Sequence, residues 1–127
     1  MVAWVDYKKA AQERGSLALE LYVAISTPAK SPEDMKAQLP GHLEYQAGLE
    51  QSGNLAFAGP MSDLGGDQMQ GMGMIVYRAE SLEAARKLAD ADPMHATGTR
   101  TYEMRRWMIN EGSLTLGVKF AAQSVKL

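Results

Sequence analysis

The sequence contains no cysteine and only two histidines among its 127 residues. The absence of cysteine excludes disulfides, thiolate nucleophiles and cysteine-bound metal sites. The absence of cysteine is compatible with several compartments, and we expect the protein to be in the cytoplasm. Two histidines cannot form an all-histidine metal site, and the chain has no HExxH or HxH spacing. A site that joins a histidine to carboxylates stays open at this stage, but we expect no metal and no other cofactor.

Long apolar runs and basic stripes are also missing. No segment approaches the roughly 20 apolar residues that a membrane-spanning helix needs. The first residues, MVAWVDYKKAAQERG, lack the apolar centre of a secretory signal. The formal net charge is −2, and lysine and arginine are scattered along the chain. We therefore expect no membrane partner and no nucleic-acid partner.

Length and hydrophobic periodicity predict one α+β domain over residues 1–127. The predicted elements are a helical extension over 2–14, then a strand over 17–26, a helix over 40–52, strands over 54–59 and 74–78, a helix over 82–91 and a strand over 99–108. The tail, 110–127, adds one or two further strands. The core, about 17–108, has the order βαββαβ of the ferredoxin-like plan. Its sheet is antiparallel, and the crossover rule places both helices on one face.

The direction of each element predicts which residues meet at one end of the sheet. A short helical turn after Ser31 is expected to stop at Pro40, so that His42 lies in the first turn of the following helix. The second core helix runs the opposite way and brings Asp92, in its last turn, to the same end. Gly59 and Pro60 close the second strand there, and Arg100 begins the last strand there. We therefore expect His42 and Asp92 to be neighbours beside a pocket.

An imidazole next to a carboxylate is a common acid–base arrangement, because the carboxylate fixes the tautomer and raises the basicity of the ring. Both residues also oppose their helix dipoles in the predicted positions, and such local conflicts often mark functional sites. The alternatives are a hydrated histidine on the helix rim and a plain Asp-Pro turn. His95, two residues after Pro93, is expected to be exposed and is a second candidate for the catalytic role.

Other residues near this end are candidates for substrate binding. Tyr45 lies one turn after His42 on the same helix stripe, and Ser62 follows the Gly59-Pro60 pair. Arg100 could hold an anionic group, although we favour the plainer interpretation of Arg100, Arg105 and Arg106 as a solvated strand face. Together, the predicted substrate-binding residues are Tyr45, Gly59, Pro60, Ser62 and Arg100.

Glycine and methionine are concentrated between residues 59 and 74. The glycines match neither a P-loop nor a GxGxxG pattern, and they predict a mobile loop or lid over 60–73. Methionine adapts to irregular spaces and to varied ligands. For Met61, Met69, Met72 and Met74 we favour the plainer role of filling a core or a subunit interface.

Three segments together resemble the YciI-like, or YCII-related, family. They are HLEYQAGLEQSGNLAFAGP from His42, ESLEAARKLADADP from Glu80 and TYEMRRW from Thr101, and the resemblance covers about residues 19–107. It implies a ferredoxin-like fold paired as a dimeric α/β barrel, with His42 and Asp92 as the catalytic dyad. A few members of the family dehalogenate hydroxylated aromatic rings. Gln46 stands where the family more often has an apolar residue, and the tail is longer than that of a minimal member.

Two functions of different class follow from these observations. The leading hypothesis is a small cofactor-independent enzyme, a lyase or isomerase that moves a proton on a cyclic or aromatic molecule. The alternative is a non-catalytic dimer that binds a small ligand or another protein, and a purely structural role is a third reading. A homodimer is expected in each case, because a sheet with helices on one face leaves its other face uncovered.

Overall fold

The computed structural model describes residues 1–127 and divides them into two compact units. The larger unit comprises residues 20–107, and the smaller one combines residues 1–19 with 108–127. The elements in chain order are α1 (Trp4–Glu13), β1 (Leu19–Pro28), α2 (Pro32–Ser52), β2 (Leu55–Ser62), β3 (Met69–Tyr77), α3 (Leu82–Asp90), α4 (Pro93–Ala96), β4 (Arg100–Ile109), β5 (Gly117–Lys119) and β6 (Ser124–Lys126). The predicted mixture of helices and an antiparallel sheet is confirmed. That the whole chain is one domain stays a prediction.

The main sheet has the strand order β2-β3-β1-β4. Strand β3 pairs antiparallel with both β1 and β2. Because side chains alternate along a strand, the register that joins Tyr22 to Tyr77 and Ala24 to Ile75 puts all four on the same face. They form the core cluster with side chains of α2 and α3, namely Leu49, Ala85 and Ala89. Both long helices of the larger unit thus pack on this face.

The helix starts follow the sequence closely. The hydroxyl of Ser31 accepts the backbone N–H of Asp34 at 3.2 Å, and Pro32 occupies the first turn of α2. The hydroxyl of Ser81 likewise accepts the N–H of Ala84 at 3.0 Å at the start of α3. A serine before the first turn satisfies a backbone donor that has no partner inside the helix. These local signals were sufficient to predict both starts.

The predicted break at Pro40 is wrong. Helix α2 runs through Pro40 without interruption, so His42 lies in its interior and not at its beginning. Proline removes one intrahelical hydrogen bond and normally costs about 3 kcal/mol in a helix interior. Here the caps at Ser31 and Gly53 and the packing of Leu49 into the core hold the helix on both sides of the proline. His42 is therefore not at a helix N-terminus, and its predicted conflict with the helix dipole does not exist.

The predicted glycine-rich lid is also wrong. Strands β2 and β3 continue past both ends of the expected loop and leave a short turn over 63–68. In this turn the carboxylate of Asp63 accepts the backbone N–H groups of Asp67, at 3.1 Å, and Gln68, at 3.3 Å. Gly73 is a paired residue of β3, opposite both Ser26 and Pro60. Gly71 allows a close approach within the sheet, because a Cβ there would lie 2.7 Å from Cγ of Pro28, and composition alone cannot separate this role from loop flexibility.

The smaller unit contains the predicted N-terminal helix and the predicted extra strands. Helix α1 ends before Gly15, which has a φ of +87°, and Ala11 is fully buried. The backbone N–H of Leu17 donates to the carbonyl of Asn110 at 3.1 Å and joins the two parts of this unit. Strands β5 and β6 form an antiparallel hairpin. No helix of the chain is both long and apolar enough to cross a membrane.

Candidate functional site

The structure brings His42 and Asp92 into direct contact. The Nδ1 atom of His42 lies 2.7 Å from Oδ2 and 2.9 Å from Oδ1 of Asp92. The Asp92 side chain is 1% exposed, whereas the His42 side chain keeps 17% of its surface accessible. Fifty positions separate the two residues in sequence, so the contact depends on how α2 and the segment after α3 pack together.

The position of Asp92 differs from the predicted one. Helix α3 ends at Asp90, and Asp92 is the N-cap of the four-residue helix α4. Its Oδ1 atom accepts the backbone N–H of Met94 at 2.9 Å. The carboxylate therefore lies at a favourable helix end, and the predicted dipole conflict does not exist. The reason is Pro93, which ends one helix and begins the next in place of a simple turn.

The cap also orients the imidazole. A carboxylate that already accepts an N–H from Met94 is fixed in place, and it accepts Nδ1–H of His42. This leaves Nε2 of His42 as the unprotonated nitrogen of the neutral ring. Gly41 lies beside Pro93, since a Cβ on Gly41 would be in van der Waals contact with Cγ of Pro93 at 3.4 Å. Backbone geometry on both helices thus builds the dyad.

His42 lines a cavity of about 620 Å³ between α2 and the sheet. This volume is typical of sites for small organic ligands. Gly59 and Pro60 line it as predicted, and so do Ser26 and Arg100. No aspartate, glutamate, phenylalanine, tyrosine or tryptophan belongs to the lining. Elsewhere, no three histidine, aspartate or glutamate side chains come together as a metal site.

Methionines supply much of the cavity wall. Five of them contribute, from α2, β3 and α4: Met35, Met69, Met72, Met74 and Met94. Met69, Met72 and Met74 border an open space in the single chain and so do not fill its core. Their role at a subunit interface stays a prediction. Met61 borders a separate, smaller cavity. Unbranched thioethers adapt to the shape of a bound molecule more readily than branched side chains do.

Arg100 crosses the end of the sheet and is held by three segments. Its Nε donates to the hydroxyl of Ser26 at 2.9 Å, and Nη2 donates to the carbonyl of Ser26 at 2.8 Å and to the carbonyl of Gly71. Its Nη1 lies 3.7 Å from the sulfur of Met35. Partial burial lowers the pKa of the guanidinium, and the negative charge of Asp92 opposes that shift. Arg100 is thus an ordered cation at the cavity wall, not part of a solvated face.

Sequence reasoning missed the role of the second histidine. His95 is not a freely exposed residue, because its Nδ1 lies 2.8 Å from the carbonyl of Ala89 and its Nε2 lies 2.8 Å from Oγ of Ser26. Burial is the main cause that lowers the pKa of His95, and Arg100 adds to it. Ser26 was read only as the end of a strand. Neither residue belongs to a motif, so only their contacts identify them.

Two predicted binding residues lie elsewhere. The hydroxyl of Tyr45 donates to the carbonyl of Leu88 at 2.6 Å and joins α2 to α3, and Tyr45 does not line the cavity. Leu88 lies in the last turn of α3, where carbonyls have no partner inside the helix. Ser62 donates to the carbonyl of Asp63 and borders the smaller cavity. Helical spacing placed Tyr45 near His42 correctly but could not tell which neighbour it would bind.

Comparison with known proteins agrees with this architecture. An uncharacterized protein of Bacillus subtilis (strain 168), YjpA, is 26% identical over 91 residues, which cover 72% of this chain and all of that protein. A solved structure of 5-chloro-2-hydroxyhydroquinone dehydrochlorinase (TftG) from Burkholderia phenoliruptrix AC1100, in complex with 2,5-dihydroxybenzoquinone, has a similar fold. The TM-score is 0.52 at 17% identity, over 68% of this chain and 92% of that chain.

A family model for the YCII-related domain matches residues 20–108, which include the dyad, Arg100 and the whole cavity. The match covers well over half of the chain. The protein therefore belongs to the family of the YCII-related domain.

Proposed function

We propose that this protein is a small-molecule enzyme of the lyase or isomerase type, with His42 as the general acid–base group. The observation that carries the proposal is the hydrogen bond between His42 and the buried Asp92 at the wall of a cavity of ligand size. A structural histidine would not need an accessible ring nitrogen. Here the nitrogen left over from the contact with Asp92 belongs to a residue that lines the cavity.

The chemistry follows from the tautomer. Neutral His42 takes a proton from a carbon or oxygen of the ligand onto Nε2, and the imidazolium that forms is stabilised by the carboxylate of Asp92. If the proton returns to a different atom of the ligand, the net reaction is an isomerisation. If the electron pair of a broken C–H bond forms a double bond and expels a neighbouring group with its electrons, the reaction is an elimination. Neither route requires a cofactor.

The proposed substrate is a small cyclic or aromatic molecule. The cavity favours a compact apolar ligand with few polar groups, because most of its wall is aliphatic or thioether. The related fold of a dehydrochlorinase that binds a dihydroxybenzoquinone makes hydroxylated rings the first probes. Lactones are the second probe class. Gly59 and Pro60 would shape the cavity, and Arg100 would bind an oxygen of the ligand.

The experiment compares wild type, His42→Asn and Asp92→Asn against hydroxylated quinones, chlorinated hydroquinones and lactones. General acid–base catalysis contributes about 10²- to 10⁴-fold to a rate, so His42→Asn should reduce kcat by that order. Arg105→Gln is the control, because its ion pair with Glu103 is exposed. Turnover that survives unchanged in His42→Asn would refute the proposal. Ligand binding without turnover in wild type would favour the alternative, a non-catalytic binding module.

We also propose that the chain forms a homodimer with the ferredoxin-like, dimeric α/β barrel arrangement. Phe57 supports it, since it is 64% exposed and pairs with Val76 on the sheet face opposite the core cluster. Covering this aromatic side chain in a subunit contact would remove its apolar surface from water and favour the dimer. In the smaller unit, the tail exposes four apolar residues that could contribute to a subunit contact: Leu114, Leu116, Val118 and Phe120.

A further inference from the structure

The charges around the cavity are unbalanced. Three side chains of its lining can carry a positive charge, Lys36, His42 and Arg100, and none can carry a negative one. His42 has Asp92 as its partner, whereas the structure shows no ion pair for Arg100. The charge of Asp92 offsets part of the cost of burying Arg100, but no carboxylate forms an ion pair with the guanidinium. A bound anion would supply what the protein does not.

The donors of Arg100 are used unequally. Its Nε and Nη2 atoms bind the hydroxyl and the carbonyl of Ser26 and the carbonyl of Gly71, which are all oxygen acceptors. The protein partner of Nη1 is the thioether sulfur of Met35 at 3.7 Å, a weak acceptor. Nη1 is therefore the edge of the guanidinium with hydrogen-bonding capacity left for a ligand.

The hydrogen-bond chain behind Arg100 has one consistent direction. Nδ1–H of His95 donates to the carbonyl of Ala89, so Nε2 of His95 must accept. Its neighbour, Oγ of Ser26, accepts Nε–H of Arg100 and so donates its own proton to His95. Ser26 is 2% exposed, and both its hydroxyl and its carbonyl oxygen have hydrogen-bond partners. This series of hydrogen bonds therefore holds the guanidinium plane of Arg100 in a fixed orientation.

We infer that the cavity takes an organic anion, whose carboxylate or similarly acidic oxygen is bound by Nη1 of Arg100, and that Ser26 and His95 are positioning residues for this contact. The inference rests on the proposed function and narrows its substrate to an acidic ring compound. Hydrogen bonds to charged groups are stronger than neutral ones, and a guanidinium held in one plane loses little freedom when it binds. Lys36, exposed at the same cavity, adds long-range attraction.

The test measures binding of aromatic acids and of their neutral amides. Benzoate, phenylacetate and 1-naphthoate are each titrated at pH 7.5 by ligand-observed NMR beside benzamide, phenylacetamide and 1-naphthamide. We expect each acid that binds to have a Kd at least about 10-fold lower than that of its amide, and Arg100→Gln to remove this preference. Arg105→Gln should keep it. No binding by any of the acids, amides that bind as tightly, or a preference that survives Arg100→Gln would overturn the inference.

The positioning role has its own readout. Ser26→Ala and His95→Gln should weaken the acids about 10-fold and leave the Kd of the amides within about two-fold, because the amides do not depend on the guanidinium charge. Ser26→Thr, which keeps the hydroxyl, should retain the preference. If Ser26 and His95 were merely structural, both variants would bind acids and amides more weakly to the same extent. That result would overturn the assignment of Ser26 and His95 as positioning residues.

A change in the dyad should not remove the preference for acids over amides. His42→Asn should keep the preference for acids that Arg100→Gln removes, since His42 is not part of the hydrogen-bond series that holds Arg100. If His42→Asn loses no turnover but the acids still bind through Arg100, the proposed acid–base function fails and the anion site stands. If His42→Asn abolishes turnover of a neutral substrate while the acids show no preference, the anion site fails alone.

Discussion

Two tyrosine hydroxyls in the larger unit differ in whether they have a partner. Tyr77 is completely buried, and its hydroxyl has no hydrogen-bond partner. Burial is the main cause that raises its pKa, and Asp92 adds to the shift. Tyr45 is half-buried and donates to the carbonyl of Leu88 at 2.6 Å. The same chemical group thus costs stability at one position and contributes to it at the other.

Replacing each tyrosine by phenylalanine should separate the two effects. Tyr77→Phe removes a buried hydroxyl that has no partner, so we expect the free energy of unfolding to stay equal or to rise by up to about 1–2 kcal/mol. Tyr45→Phe leaves the carbonyl of Leu88 without its donor and should lower the free energy of unfolding by about 1 kcal/mol. Urea denaturation of both variants measures the difference. A Tyr77→Phe variant less stable than Tyr45→Phe would contradict this reading.

His95 should make stability depend on pH in a known direction. Its pKa in the folded state is below the ordinary value of 6.5, mainly through burial, to which the charges of Arg100 and His42 add; the hydrogen bond to Ala89 and the charge of Asp92 oppose this shift. The unfolded chain therefore binds a proton more readily, and folding stability falls as the pH drops below about 6.5 and through the folded-state pKa. The free energy of unfolding of wild type should decrease more between pH 7.5 and 5 than that of His95→Gln. Parallel curves would contradict the prediction.

At the scale of elements, the end of α3 explains why several polar residues gather near the site. The carbonyls in the last turn of a helix lack partners inside it. Tyr45 from α2 binds the carbonyl of Leu88, and His95 from α4 binds the carbonyl of Ala89. The same contacts that complete this helix end therefore hold α2 and α4 beside it. The dyad and the chain behind Arg100 both depend on that arrangement.

Glycine has opposite roles in β3 and in α2, and two alanine variants should show it. Gly71 has a φ of +91°, and a Cβ there would lie 2.7 Å from Cγ of Pro28. We expect Gly71→Ala to lower the free energy of unfolding by about 1–3 kcal/mol, through backbone strain and this contact. Gly48 lies in α2, and a Cβ there would have nothing within 4 Å, so Gly48→Ala should raise the free energy of unfolding by up to about 1 kcal/mol. Equal effects of the two variants in thermal or urea unfolding would refute the assignment.

Directional features of the fold could be predicted from sequence, and contacts between side chains could not. The order and direction of strands and helices brought His42 and Asp92 to one end, because that result depends on topology and not on exact boundaries. The break at Pro40 was predicted from a local rule that packing overrode. His95 carries no periodic signal, since its place depends on contacts with the carbonyl of Ala89 and the hydroxyl of Ser26, which no sequence pattern specifies.

At the scale of the whole molecule, the main sheet leaves two edge strands, β2 and β4, and an exposed aromatic residue on β2. Val76, the partner of Phe57 on the same face, is 2% exposed, so the exposed apolar surface of this face lies at the β2 edge. The family membership gives the chain a domain over residues 20–108, while the rest of the chain belongs largely to a second compact unit. The proposed dimer would account for the exposed apolar residues of both units.

The dimer can be tested directly by mass. We expect light scattering at micromolar concentration to give about twice the chain mass of 13.8 kDa. Phe57→Asp should shift the population toward the monomer, because it places a charge on the apolar contact face. Glu44→Gln, at an exposed position of α2 and so away from this sheet face, is the control and should not change the mass. A monomeric wild type would contradict the proposal.

The cluster of thioethers around the cavity has a practical consequence for finding the natural ligand. The chain has nine methionines, so labelling their terminal methyl groups with ¹³C would give a spectrum of nine signals. Five of these methyls belong to residues that border the cavity, and the other four, Met1, Met61, Met104 and Met108, do not. A compound that enters the cavity should move the first set and leave the second as an internal reference. The protein thus carries its own reporter for screening metabolites without any assumption about the reaction.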